Sequence, residues 1–396
     1  MGMCYADQPI PMHIPDGYLS PATCAALYAT SAPFWYVALR RLKRLLTTRL
    51  IPLLSVFAAF SFLVMMINLP LPGGTTGHAV GVAIASIVLG PWASILAISI
   101  ALLIQALFFG DGGVTTLGAN CLNMAIVGSL VAYLVYRLLA GRAAITAPRR
   151  VVAAALAGYT AINASAFCAA LELGIQPLLF RDPSGAPLYA PYPLSIAIPA
   201  MMIGHLSFAG LAELVLSGGV VAYFQRANPS LLKLTAPGAT RGDEDLRQVT
   251  GRGAWSSLKP LWTALALLLI LTPLGTLAGG AAWGEWGARD FSDAAARRRI
   301  AAASRNLAPP PRAPQGLDRL YSVWTAPFPQ YAPAFVRRPA LGYLLSAMFG
   351  SGIIILGFMT ASALFAQRGP AAAAKNKFSV SSEPPKHQHG EHEESQ

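Results

Sequence analysis

Apolar runs long enough to cross a hydrocarbon layer of about 30 Å recur along this chain, near 22–39, 50–69, 92–109, 117–139, 151–176, 193–224, 258–279 and 341–366. A shorter apolar helix over about 79–90 precedes Gly90-Pro91, where proline restricts the residue before it. With 92–109 it reads as an antiparallel pair joined by a tight turn. These runs predict an all-α polytopic membrane protein with about nine transmembrane helices.

Composition agrees: 55% of the residues are hydrophobic and 12% charged, which excludes an ordinary soluble enzyme. The net charge of +12 is then loop arginine that orients helices, not a footprint for nucleic acid. Arg40-Arg41-Leu42-Lys43-Arg44, the group Arg137, Arg142, Arg149 and Arg150, and the basic stretch 226–259 fall on one face if the helices alternate. That face is cytoplasmic, so the chain is expected in the cell (inner) membrane with its N-terminus outside and C-terminus inside. The external segment 280–340 carries Arg297-Arg298-Arg299, Arg337 and Arg338, against the rule, but loops of about 60 residues obey it poorly. The four cysteines are isolated, so neither a disulfide nor a zinc framework is implied.

One polar stretch carries chemistry. In Met12-His13-Ile14-Pro15-Asp16-Gly17, a methionine followed at once by histidine is either a plain loop dipeptide or a translation start that leaves an imidazole one residue from a free amine. In the second case the amine, the amide nitrogen of His13 and its Nδ1 close fused chelate rings in one plane. A square of nitrogens suits Ni(II) or Cu(II) better than Mg or Ca. His78, after the glycine-rich turn 72–77, is the candidate fourth donor, and the predicted topology puts it on the same outer face as His13. Imidazole ligands must be neutral, so uptake is expected to fall as pH drops below about 6.5.

Three motifs in order, Met12–Pro21, Asn68–His78 and Gln105–Gly113 followed by Leu117-Gly118-Ala119-Asn120, resemble those of the CbiM/NikM family, the cobalt- and nickel-capturing membrane components of energy-coupling-factor (ECF) ABC transporters. The resemblance covers about 12–230. Residues 258–366 resemble, more weakly, the small two-helix accessory subunit of those transporters (NikN/PDGLE-like), fused here in one chain. The resemblance implies that Met12, His13 and His78 hold the ion. It also implies partners: two ATPase subunits and a coupling transmembrane subunit. No Walker motif occurs, so ATP hydrolysis is assigned to a partner, and the chain is expected to be no enzyme and to need no cofactor beyond its transported Ni(II) or Co(II). Residues 1–11 depart from the family pattern and are expected to be a misassigned or removed extension.

Asn68, Gln105 and Asp111 read either as residues that shape the metal-site loop or as ordinary helix-to-helix hydrogen bonding; for Asp111, packing against the site is preferred to ligation. His205 and Glu213, two turns apart, read as a structural pair, with a metal relay as the alternative, and Glu172 reads as structural. The expected organisation is a metal-capture domain over 12–227, a cytoplasmic linker over 228–257, an accessory region over 258–368 with its external loop at 280–340, and a tail over 369–396 that holds His387, His389 and His392. An intramembrane metalloprotease would need H-E-x-x-H, which is absent. A stand-alone secondary transporter of a divalent ion is the remaining alternative; it would be expected to carry charged relays near mid-membrane.

Overall fold

The computed structural model describes residues 13–45, 51–71, 75–235, 254–278, 281–333 and 335–367. Met12, the extension 1–11, most of the linker and the histidine-containing tail lie outside the described residues.

Each of the nine apolar runs forms a helix. They are α1 (Pro21–Leu45), α2 (Ile51–Met65), α3 (Val82–Leu89), α4 (Pro91–Phe109), α5 (Leu117–Ala140), α6 (Pro148–Leu179), α7 (Leu194–Ala227), α9 (Ala254–Leu271) and α12 (Pro339–Gln367). The protein is an all-α polytopic membrane protein, yet the expected nine spans are not reproduced. Among the described residues, five helices (α4, α5, α6, α7 and the stretch Pro339–Ala361 of α12) are long and apolar enough to cross a bilayer, while Ile51–Met65 and Leu261–Leu277 are shorter. The reason is length: Ile51–Met65 has 15 helical residues where a span needs about 20. Almost all of α2 is enclosed by its neighbours, with α4, α9 and α12 packed around it. By contrast Leu134, Leu138, Val152, Leu211 and Val215 are exposed on α5, α6 and α7, the outward face expected of helices solvated by lipid.

Proline at the first position suits the start of α4, and Gly90 before it adopts φ 83°, which lets α3 turn directly into α4. Three helices contain a π-helical stretch, at Gln105–Phe109, Cys121–Val127 and His205–Ala209. Such stretches widen the turn and redirect side chains, and they are frequent at functional sites. A two-stranded antiparallel hairpin, Leu69–Leu71 with Thr75–Gly77, follows α2 and delivers the chain to His78.

The fused half is part of the same body. Between α9 and α12 the chain forms two short helices, α10 (Ala294–Ala303) and α11 (Gln315–Leu320), and folds over the loop end of the helix bundle. Backbone bonds join Gly316 N–H to Leu188 O at 2.7 Å and Phe328 N–H to Phe108 O at 2.9 Å. The Trp324 indole donates to Leu107 O at 2.8 Å, and the Tyr18 hydroxyl to Trp286 O at 2.6 Å. Gly17, at φ 90°, is needed here: a Cβ on it would meet Gly316 O at 2.7 Å. The stretch expected as linker opens with α8 (Pro229–Lys233), whose Leu231 and Leu232 are buried in the core.

Candidate metal centre

Two loops build the site, and each is held by side chains from elsewhere. Asp16 anchors the first. Its carboxylate accepts the backbone N–H of Val114 at 3.2 Å and of Thr115 at 2.7 Å, together with the Thr115 hydroxyl. Asn120 then reads both sides of the Ile14 backbone, accepting its N–H and donating to its carbonyl, each at 3.1 Å. Ile14 O also accepts from Gly113 N at 3.0 Å, so the peptide after His13 has no freedom to turn. Gly112 lies beneath the ring at φ 84°, where a Cβ would meet His13 Cβ at 2.9 Å.

The second loop carries His78. The carboxylate of Glu213, from α7, accepts Val80 N–H at 2.7 Å and Gly81 N–H at 3.0 Å, which pins the second and third residues beyond it. His78 Nδ1 lies 3.0 Å from Ala79 O. A carbonyl can only accept, so Nδ1 carries the proton and Nε2 keeps its lone pair for a metal. Burial, with His13 next in effect, pushes the His78 imidazole down to about 4, so it is neutral across the physiological range.

The two rings meet edge to face with centroids 5.0 Å apart. His13 Nδ1 contacts Asp111 Oδ1 at 2.9 Å, and its Nε2 is buried without a hydrogen-bond partner. The other carboxylate oxygen, Oδ2, accepts the hydroxyl of Tyr331 at 2.6 Å and stands 3.4 Å from Gln105 Nε2, which itself donates to the Tyr331 hydroxyl at 2.9 Å. Asp111 and Gln105 therefore join His13. Asn68 does not: it is buried, its Oδ1 has no hydrogen-bond partner, and its neighbour is Tyr343 of α12.

A cavity of about 90 Å³ opens beside the rings; His13, His78, Asn120, Asn123, His205 and Glu285 are among its lining. Glu285 comes from the fused half, is buried, and leaves Oε2 without a hydrogen-bond partner. Burial and the nearby Asp111 push its carboxyl well above the usual carboxylate range. His205 and Glu213 do not form the expected pair. His205 Nδ1 turns to Met201 O at 2.8 Å, while Glu213 serves the His78 loop. Glu172 accepts Asn123 Nδ2 at 2.8 Å.

Among the described residues, no three His, Cys, Asp or Glu side chains stand close enough to hold an ion by themselves. Two buried imidazoles from loops far apart in sequence, beside a polar-lined cavity, are suited to a borderline transition-metal ion rather than to Mg or Ca.

Residues 13–231 match the model of the CbiM family, the cobalt uptake substrate-specific transmembrane region. The chain belongs to this family. This CbiM-family chain is 54% identical over 347 residues to the fused nickel transport protein NikMN of Rhodobacter capsulatus, a match covering 87% of this chain and 96% of that protein. It is 40% identical over 348 residues to the probable fused nickel transport protein LarMN of Lactiplantibacillus plantarum, covering 87% and 96%. The crystal structure of a truncated transition metal transporter superposes with a TM-score of 0.51 at 47% identity, covering 54% of this chain and 97% of that one. The protein is thus a membrane component of a nickel and cobalt transport family, and its likeness to fused relatives runs past the family model into the C-terminal half.

Sequence reasoning missed Asp16, Tyr331 and Glu285 as residues placed around His13 and His78. Glu285 carried a signal, a lone acid between Trp283 and Trp286 in a segment rich in aromatics. Tyr331 carried none beyond its aromatic neighbours.

Proposed function

We propose that this chain is the substrate-capture component of an ECF-type importer, taking Ni(II) or Co(II) at the outer face of the cell (inner) membrane. The observation that carries the reading is the meeting of His13 and His78, from loops on either side of α1 and α2, with ring centroids 5.0 Å apart on the wall of one cavity. In the proposed donor set, Met12 supplies its nitrogen, His13 its backbone nitrogen and imidazole, and His78 its imidazole. The names of the R. capsulatus and L. plantarum relatives favour nickel as cargo.

The chain performs no chemistry in this scheme and needs no resident cofactor. Partner ATPase subunits hydrolyse ATP, and a coupling transmembrane subunit transmits the work. The N-terminus and the 281–333 cover face outward.

Calorimetry on the purified protein tests the site. His78→Ala should abolish high-affinity nickel binding while the protein still inserts in the membrane; unchanged affinity would remove His78 from the site. Liposome uptake tests the partners: nickel accumulation by this chain alone, driven by an ion gradient and indifferent to ATP, would favour the stand-alone carrier instead.

A further inference from the structure

We propose that Tyr331, supplied by the fused C-terminal half, is a specificity-determining residue that holds the Asp111 carboxylate off the transported ion and so keeps the donor set nitrogen-only. The inference rests on the reading of His13 and His78 as the capture site.

Asp111 Oδ1 stands 2.9 Å from His13 Nδ1. Two neighbouring ligands with bonds of about 2.05 Å at a right angle are separated by roughly 2.9 Å. At this distance a rotation of the carboxylate would carry Oδ1 onto an ion that takes Nδ1. If it bound, it would add an oxygen donor and admit ions such as Mn(II), which carboxylates suit and a square of nitrogens does not.

The restraint is on the other oxygen. Tyr331 donates to Oδ2 at 2.6 Å, and Gln105 donates to the same hydroxyl at 2.9 Å. A carboxylate that swung onto an ion would strand a buried hydroxyl, and the hydroxyl is not placed to follow. The Tyr331 ring is stacked on Phe109 with centroids 4.7 Å apart and tilted against Tyr343 at 5.1 Å.

The backbone is a second, independent sign. Gln330 and Tyr331 have φ of 56° and 58°, two consecutive non-glycine residues in the left-handed region. Such a conformation persists only where its surroundings over-determine it, and it recurs where a side chain must be aimed. Here it aims one hydroxyl at the carboxylate beside His13.

The test uses the chain purified in detergent with Met12 as its first residue, as wild type, Tyr331→Phe, Asp111→Asn and the double variant. Tyr331→Phe keeps the ring and its stacking, so a melting curve near wild type is expected. Nickel loaded into the wild type should be diamagnetic with the ligand-field absorption of a planar complex. In Tyr331→Phe it should become paramagnetic, and the nickel-over-manganese affinity ratio, measured by competition, should fall at least tenfold. Asp111→Asn in the same chain should restore the planar signature, because an amide is a poor ligand. Planar nickel and an unchanged ratio in Tyr331→Phe would overturn the proposal, as would a double variant no better than the single one. His78→Ala separates the two readings: if it abolishes nickel binding while Tyr331→Phe changes nothing, only the role of Tyr331 fails.

Discussion

The Glu213 carboxylate reaches across 133 residues of chain to accept the Val80 backbone N–H at 2.7 Å. It accepts Gly81 N–H as well, and is itself buried in α7. This is how a helix in the second half of the capture domain sets the position of His78, two residues before the first bond. Removing the acceptor strands two buried donors, each costing about 1–3 kcal/mol. Glu213→Ala should lower the melting temperature and weaken nickel binding although no ligand is touched. Glu213→Gln, which keeps one carbonyl oxygen as acceptor, should lose less of both. Calorimetry and thermal melts on the two variants decide the matter, and equal nickel affinity in Glu213→Ala and wild type would refute it.

Gly112 makes a second prediction. At φ 84° any side chain is strained, and a methyl would meet His13 Cβ at 2.9 Å. Gly112→Ala should therefore cost on the order of 1–3 kcal/mol of stability. It should also shift the His13 ring and weaken metal binding by more than the stability loss explains. Alanine placed at Gly185, also at positive φ but with no atom within 4 Å of its Cβ, is the control.

The pH dependence follows from His78. Its imidazole lies lower in the fold, at about 4, than its ordinary 6.5. Between those values the unfolded chain binds the proton and the folded one does not, so the stability from this group is complete above 6.5 and is lost as pH falls toward 4. Proton competition for His78 should likewise begin below the 6.5 of a solvated histidine. Nickel binding followed from pH 7.5 to pH 5.5 checks this; protonation of His78 itself, seen by NMR above pH 6, would contradict it.

Glu285 gives the opposite sign. Burial and Asp111 raise its carboxyl, so the folded protein keeps the proton while the unfolded chain loses it above about 4.5. Its contribution is present below that value and lost as pH rises through the folded range. Glu285→Gln, isosteric and neutral at every pH, should therefore melt higher than wild type at pH 8 and no higher at pH 4. A melting difference that does not vary with pH would rule out the buried acid as its source.

Helices and loops were legible in the sequence because their causes are local. Apolar runs name nine helices, α1 to α7, α9 and α12, Gly90-Pro91 names the turn between α3 and α4, and the stretches around His13 and His78 stand out in a chain with few histidines. Hydropathy could not say how far each helix runs, because α2 is as apolar as a span yet has 15 residues. Nor could it rank the polar residues. Asn68 and Asp111 look alike in their motifs, but Asp111 lies between His13 and Tyr331, whereas Asn68 faces Tyr343. The sequence by itself determined the helical membrane class, the family and the two histidines, all properties of contiguous residues. Only the tertiary structure decided that Glu213 holds the His78 loop and that Tyr331 and Glu285 of the fused half reach the site, because those partners lie 133 to 220 residues away or across a cavity, and no local pattern records which distant side chains packing will bring together.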